Sequence, residues 1–159
     1  MKKGQAWGFD LMIGAGIFMI GLTVFFLYTL NYPKGNEETG KDLEYEAKRI
    51  ASDLLSSGLP TNWNEINVQK IGLTSNNLIN QTKLDLFYNL MQNNYNNTKI
   101  LFGTKYDYFV NASNSLNING NPISGIGIYP INVKNEVKLT RVTVYEGVPI
   151  NLEVTVWES

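Results

Sequence analysis

An uninterrupted run of twenty uncharged residues near the N-terminus, from Leu11 to Leu30, constrains this chain more than any other feature. Its sequence is LMIGAGIFMIGLTVFFLYTL. A helix of this length rises about 30 Å, which matches the hydrocarbon core of a bilayer. A helix packed against a soluble core would show a polar stripe, whereas this run is apolar all round. The run therefore predicts a helix for a membrane or for an equally apolar assembly.

The charges on either side of the run indicate its orientation. Lys2 and Lys3 precede it, and Lys34, Glu37 and Glu38 follow it. Because positive charge is retained on the cytoplasmic side, the N-terminus is expected inside the cell and the remainder outside.

Two simpler interpretations of the run remain open. A cleaved secretory signal peptide usually has a shorter apolar region followed by a small-residue exit, and here the run ends in YTLNYP. A signal anchor that stays in the membrane requires no cleavage motif at all.

Composition argues against catalysis. The chain has no cysteine and no histidine, so it lacks thiolate nucleophiles, disulfides, the commonest general base and the commonest transition-metal ligand. Carboxylates alone could still perform acid–base chemistry or bind calcium. We therefore expect a protein that is not an enzyme and that has neither a cofactor nor a metal site.

Charge argues against nucleic acid as a partner. Residues 41–159 carry ten basic and eleven acidic side chains, with no basic stripe of the kind that contacts phosphates. This part of the chain is also long enough to bury a hydrophobic core without disulfides.

Hydrophobic periodicity predicts two helices in the part of the chain after the apolar run. Residues 31–40 contain Pro33, Gly35 and Gly40 and predict a linker. A helix is expected over 41–57, and Glu44 and Lys48 lie one turn apart on its polar side. Its apolar stripe consists of Leu43, Ala47, Ile50, Ala51, Leu54 and Leu55. Another helix is expected over 80–91, with Asn80 as N-cap and with Leu84, Phe87, Leu90 and Met91 on one face.

The asparagine-rich residues 93–97 are expected to form a loop, or a frayed continuation of that helix into residues 98–102, closed by Gly103.

The last third of the chain has the alternation of β-strands. A long antiparallel hairpin is expected from 137–145 and 148–157, joined at Glu146-Gly147. One slip in the alternation of the first strand predicts a bulge near Thr140 and Arg141. Further strands are expected at 67–73, 106–110, 116–127 (with a turn at 119–122) and, at a sheet edge, 126–133. The predicted fold class is α+β, an N-terminal hydrophobic helix followed by a head with two helices and an antiparallel sheet ending in this hairpin.

The residues before the apolar run resemble a known processing signal. Lys2-Lys3-Gly4-Gln5-Ala6 is similar to the class III signal peptide of archaeal type IV pilins and related filament subunits. The resemblance implies that a prepilin peptidase cuts after Gly4, with Lys3 and Gln5 at the flanking positions, and leaves the apolar helix on the mature subunit.

The resemblance also implies an assembly role for the helix. Many family members carry Glu at mature position five, where this chain has Phe9, with Asp10 following. Asp10 could meet the N-terminal amine of a neighbouring subunit, or it could lie at headgroup depth without a partner. The small residues Gly14, Gly16 and Gly21, together with Gly8 and Ala15, would permit close helix–helix approach.

Short segments further along extend the resemblance to archaeal pilin-like surface proteins. They are Ser57-Gly58-Leu59-Pro60, Asn62-Trp63, Lys70-Ile71-Gly72-Leu73, Asn80-Gln81-Thr82-Lys83-Leu84, Tyr106-Asp107-Tyr108 and Val142-Thr143-Val144-Tyr145. The implied organisation is a leader at 1–4, a helix at 5–30, a linker at 31–40 and an extracellular head at 41–159.

The function implied is that of a pilin or minor pilin in a surface filament, with adhesion among the filament's candidate roles. The implied partners are other pilins, the prepilin peptidase and the membrane. The expected location is the cell membrane with the head outside, or an extracellular filament after processing. Because the Pro33 region should interrupt the first helix, an accessory subunit is favoured, and an unprocessed anchored protein whose head binds a ligand is the alternative.

Four further motifs carry little functional signal. Sequons occur at Asn80, Asn96 and Asn111, a number that chance alone supplies in a chain with 21 asparagines. Gly125-Ile126-Gly127 lacks the third glycine and the following helix of a phosphate loop. The acidic residues between 37 and 46 do not have the spacing of a calcium loop. The aromatic residues Phe102, Tyr106, Tyr108 and Phe109, with Tyr88 and Tyr95 nearby, are expected in the core rather than on an adhesive surface.

Overall fold

A computed structural model describes residues 4–31 and 35–158, with side chains over 8–30 and 39–158. The chain divides into two compact units, one up to Asn36 and one from Glu37 onward. The first unit contains helix α1, Gly4–Asn31, which includes the whole apolar run. The second unit is an α+β head, which agrees with the predicted class.

Helix α2, Gly35–Leu54, begins and ends earlier than predicted. The prediction of a non-helical linker over 31–40 is wrong for residues 35–40, which are helical. Gly35 and Gly40 do not prevent the helix, because a glycine costs a helix only about 1 kcal/mol.

The described part of the head has two more helices, α3 at Gln81–Asn93 and α4 at Tyr95–Phe102. Asn80 caps α3 as predicted, because its side chain accepts a hydrogen bond from the Lys83 N–H. Asn94 caps α4 in the same way, by accepting from the Asn97 N–H. The asparagine-rich segment therefore starts a separate helix rather than a loop, and Gly103 ends it in the left-handed conformation.

Four antiparallel strands form the main sheet, in the order β6-β3-β8-β7. They are β3 at Asp107–Ala112, β6 at Ile126–Gly127, β7 at Glu136–Tyr145 and β8 at Val148–Trp157. Two small hairpins accompany the sheet, β1 at Thr74–Ser75 with β2 at Leu78–Ile79, and β4 at Leu116–Ile118 with β5 at Asn121–Ile123.

The terminal hairpin matches the prediction in its bounds but has no bulge. Its register is continuous from Tyr145 opposite Val148 to Glu136 opposite Trp157. The apolar residues change phase because Arg141 and Thr143 occupy inward positions, while Val142 and Val144 face outward. The slip in hydrophobicity therefore reflects which face each side chain occupies and needs no extra residue.

Two other strand predictions need correction. Residues 67–73 form no strand, only a single bridge between Leu59 and Lys70. The apolar side chains of Ile71 and Leu73 are nevertheless buried, because the backbone at Gly72 lies directly against the backbone at Gly58. The edge strand predicted over 126–133 is only Ile126–Gly127 long. Its glycines allow close contact with β3, since a Cβ on Gly127 would lie 2.3 Å from the carbonyl oxygen of Tyr108.

The approach near residue 72 joins the end of α2 to the rest of the core. A Cβ on Gly72 would lie 2.1 Å from the Gly58 nitrogen, and the buried Trp63 indole donates to the Gly72 carbonyl at 2.8 Å. The core itself unites the α2 stripe with α3 and with the inward face of the sheet. Its largest fully buried members include Leu43, Ile50, Leu54, Leu84, Phe87, Phe102, Tyr108 and Leu152.

Candidate assembly helix and head surface

Helix α1 presents apolar side chains in all directions. Every side chain from Gly8 to Leu30 is exposed in the isolated chain. Within the described residues, this segment alone is long and apolar enough to cross a membrane, a property that signal sequences share. An exposed apolar surface this large requires lipid or other protein around it.

The two threonines of α1 do not interrupt its apolar surface. The Thr23 hydroxyl donates to the Met19 carbonyl and the Thr29 hydroxyl donates to the Phe25 carbonyl, each at 2.8 Å. Such bonds to the preceding turn satisfy the hydroxyl within the helix. Both residues are therefore compatible with hydrocarbon.

The predicted cleavage residues lie at the start of α1. Gly4 and Gln5 are its first two residues. Lys3 lies outside the described residues. The peptide bond after Gly4, where the resemblance predicts cleavage, thus belongs to the first turn of the same helix that carries the apolar run.

The predicted assembly residues occupy two faces of α1. At about 100° per residue, Gly14 and Gly21 lie within about 20° of each other, and Asp10 lies about 40° from Gly14. Gly16 is on roughly the opposite side. A Cβ at Gly14, Gly16 or Gly21 would meet no atom of this chain within 4 Å. Gly14 and Gly21 thus share one side of the helix with Asp10, although the turn between the two glycines carries Ile17 and Phe18.

The aromatic residues between positions 102 and 109 are buried, as predicted. Phe102, Tyr106, Tyr108 and Phe109 are all buried. Tyr108 packs edge-on against Phe102 and shares a hydrogen bond with the buried hydroxyl of Thr98. Burial raises the pKa of the Tyr108 hydroxyl well above its ordinary value of 10.0. These residues do not form an exposed adhesive surface.

Tyr95 and Asp107 extend this network to the edge of the core. The Tyr95 hydroxyl donates to the Asp107 carboxylate at 3.1 Å and accepts from the Tyr108 N–H at 3.0 Å. Lys99 pairs with the same carboxylate at 2.9 Å. Burial raises the pKa of Tyr95 as well. The network links α4 to β3, which is a structural role.

Lys83 is a buried cation that the sequence did not reveal. Its ammonium donates to the Ser57 carbonyl at 2.7 Å and to the Thr74 carbonyl at 2.9 Å. Burial lowers the pKa of this ammonium. Because its partners are backbone carbonyls just beyond α2 and in β1, Lys83 ties those segments to α3.

The acidic residues near the start of α2 form no metal centre among the described side chains. Glu44 pairs with Lys48 at 2.6 Å, and Glu46 pairs with Arg49. The side chains of Glu37 and Glu38 lie outside the described residues.

The three sequons differ in accessibility. Asn96 is exposed in α4, Asn80 is the partly buried cap of α3, and Asn111 lies within β3. Glycosylation at any of them stays a prediction.

The outer face of the sheet carries a groove of about 570 Å³. The exposed side chains of Tyr129 and Ile131 line it together with the buried Trp157. Asp107, Lys134 and Glu158 also line it. Apolar walls with charged groups beside them are the usual composition of a site for a small molecule or a peptide side chain.

Over the described residues, the structure thus defines a class of protein with one helix long and apolar enough to cross a membrane and an α+β head that forms a second compact unit. A scan against protein families, a search of curated proteins and a search of solved structures each found no match to this chain.

Proposed function

We propose that this protein is a structural subunit of a type IV pilus-like surface filament. The observation that carries the proposal is the pairing of a peptidase-like Lys3-Gly4-Gln5 sequence with a helix whose side chains are all exposed from Gly8 to Leu30. Cleavage after Gly4 removes the charged leader. The remaining helix then carries almost no charge.

Assembly follows from the surface of α1. In the membrane, lipid covers the helix. On extraction from lipid, neighbouring subunits' helices take the place of the lipid, and close approach along Gly14 and Gly21 increases the van der Waals contact between them. Asp10 lies on the same side of the helix as Gly14, and in this proposal its carboxylate pairs with the amine that cleavage creates on a neighbouring subunit.

Pro33, which lies between α1 and α2 in the sequence, favours an accessory subunit over a major one. A major pilin of the family usually continues one helix into its head.

The test is a double substitution, Gly14→Leu with Gly21→Leu. A Cβ at either position would meet no side chain or neighbouring element of its own chain within 4 Å, and the segment becomes more apolar, so insertion is retained. Close helix contacts are lost, and we expect the variant to stay in the membrane and to disappear from filaments sheared off the cells. Ile13→Leu with Ile20→Leu, which has the same spacing and no added volume, should assemble normally.

Two outcomes would reject the filament proposal. One is a wild-type head that never appears in the sheared fraction, and the other is a Gly14, Gly21 double variant that assembles like the wild type.

The second candidate is an unprocessed, signal-anchored protein whose head binds a ligand at the cell surface. The groove beside Tyr129 and Trp157 favours it. If this second candidate is correct, the double leucine variant should match the wild type in location and abundance. The intact leader should also remain on the protein.

A further inference from the structure

Strand β7 is a long edge strand of the head's main sheet; within the described residues no strand pairs with its outer side, although β2 lies close to it. It pairs with β8 over all ten of its residues, from Glu136 to Tyr145, without a bulge or a proline. The opposite edge is β6, only two residues long and followed shortly by Pro130. Proteins usually shorten, bend or cover exposed edges, as happens at β6. At β7 the edge remains long and regular.

The turn shows which backbone groups of β7 point outward. Glu146 and Gly147 have φ values of 51° and 78°, as in a two-residue type I′ turn. Tyr145 and Val148 therefore exchange both hydrogen bonds, and alternate residues back to Val137 also bond to β8. The residues between them direct N–H and C=O groups away from β8; they are Glu136, Lys138, Thr140, Val142 and Val144.

The bonds of β8 on its other side agree with this assignment. Asn151 exchanges hydrogen bonds with Ser113, just beyond β3, through its carbonyl at 2.9 Å and its N–H at 3.1 Å. Asn151 stands opposite Val142. Because Asn151 uses its backbone groups toward β3, those of Val142 point to the free edge. Among the described residues, none forms a hydrogen bond with them.

The side chains along this edge are apolar near its centre. Val142 is 72% exposed, although it lies within a regular strand. Val144 is next to it on the same outward face, and Thr140 is on its other side. Val142, Thr140 and Val144 are all β-branched, and such side chains pack well against those of a neighbouring strand.

We propose that β7 pairs with β7 of a second copy of this chain, antiparallel, about a two-fold axis at Val142. Val142 then opposes Val142 of the second copy, and Thr140 opposes Val144. At each end Lys138 stands opposite the Glu146 position. Cross-strand pairs of apolar residues and of opposite charges both stabilise a sheet.

Neighbouring registers fit less well. An axis at Lys138 would place the two lysines directly opposite each other. An axis at Thr140 would place Lys138 opposite Val142 and Glu136 opposite Val144. The Val142 register has one unfavourable diagonal contact, between the two Arg141 side chains, and their length lets them diverge into solvent.

This contact does not rest on the filament proposal. A two-fold contact closes on itself, whereas successive subunits of a filament require a heterologous one. The β7 pair therefore joins chains that stand side by side, in one membrane or in two adjacent filaments. Anchoring in a membrane raises the effective concentration of the heads, so a contact too weak to form a dimer in dilute solution can form there.

The test uses disulfide cross-linking of the full chain in its native membranes. The chain has no cysteine, so each introduced one is unique. In the proposed register, Val142→Cys places two cysteines in a hydrogen-bonded pair with Cα atoms about 5.5 Å apart, within disulfide range. Thr140→Cys places them about 14 Å apart at about 3.4 Å per residue, which is beyond that range. Both positions are exposed, so folding should be unaffected.

We expect mild oxidation to dimerise Val142→Cys at least tenfold more than Thr140→Cys. Thr140→Cys and Val144→Cys, co-expressed, should form a mixed disulfide, and adding Val142→Lys to both should abolish it by placing two lysines on the axis. Preferential dimerisation of Thr140→Cys would overturn the register. Dimerisation of Val142→Cys no greater than that of Lys105→Cys, an exposed site outside β7, would overturn the proposal.

Discussion

Tyr108 shows how a single hydroxyl can govern the response of the head to alkaline pH. Its ring is fully buried beside Phe87 and Phe102, and its hydroxyl meets the hydroxyl of Thr98. Ionising this phenol would place a charge in the core. The folded state therefore holds the proton more tightly than the unfolded state does, and burial raises the pKa.

The sign of the pH dependence follows from that shift. A group whose folded pKa is raised contributes its full stability below its unfolded pKa, here 10.0, and loses it as pH rises above that value. We expect a fragment covering residues 35–159 to lose stability above about pH 10, by up to about 1.4 kcal/mol per pH unit for each such tyrosine. Tyr95 and Tyr145, whose pKa values are also raised by burial, contribute in the same direction.

Tyr108→Phe should make this dependence shallower by one proton while costing about 1 kcal/mol at neutral pH through the lost hydrogen bond. The measurement is urea unfolding between pH 8 and pH 11.5. The exposed Tyr45→Phe serves as control and should retain the wild-type slope. A Tyr108→Phe slope equal to that of the wild type would contradict this account.

Single residues differ in how far the sequence reveals their role. Asn80 was predictable as a helix cap because capping depends on local residue type. Lys83 was not, because its partners are the carbonyls of Ser57 and Thr74, distant in sequence and carrying no side-chain signal. The role of Gly72 was equally hidden. A glycine is required there because the Gly58 backbone lies too close for a Cβ, and that contact exists only in the folded head.

At the scale of elements, the prediction succeeded where periodicity and local turn chemistry agreed. The apolar stripe at 43–55 predicted helix α2, and the alternation of apolar and polar residues at 148–157 predicted strand β8. The Glu146-Gly147 pair predicted the turn between β7 and β8. The prediction failed at 67–73, where apolar residues are buried by tertiary contacts without strand pairing. It also failed at the bulge, since hydrophobicity alone cannot tell a shift of register from polar residues on the inward face.

Helix α2 provides the prediction at this scale. Leu54 is fully buried near its C-terminal end, within the core shared with α3 and the sheet. Leu54→Asp would bury an unpaired charge among apolar neighbours. A buried charge without a partner typically lowers the free energy of unfolding by about 3–5 kcal/mol. Since a domain of this size has a stability of about 5–15 kcal/mol, the fragment should lose its cooperative melting transition.

Circular dichroism melting of the 35–159 fragment checks this expectation. Tyr45→Asp, on the exposed side of the same helix, should melt within a few degrees of the wild type. A Leu54→Asp fragment that resists protease and melts cooperatively would contradict the packing of α2 within the core.

At the scale of the whole molecule, the proposed function assigns a different role to each unit. It assigns anchoring and assembly to α1 and contact with the environment to the head. The candidate site was partly predictable, because the apolar run and Lys3-Gly4-Gln5 are continuous in sequence. The edge of β7 and the groove beside Trp157 were not, because strand order and the path of residues 128–134 depend on the folded sheet.

The most direct test of the central claim is the N-terminal residue of the chain recovered from filaments sheared off the cells. Mass spectrometry of that fraction should give a mature chain that begins at Gln5, and Gly4→Val should leave the full-length precursor in the membrane with no chain in the filaments. A filament-borne chain that still begins at Met1 or Lys2, or a Gly4→Val variant that assembles like the wild type, would contradict the account.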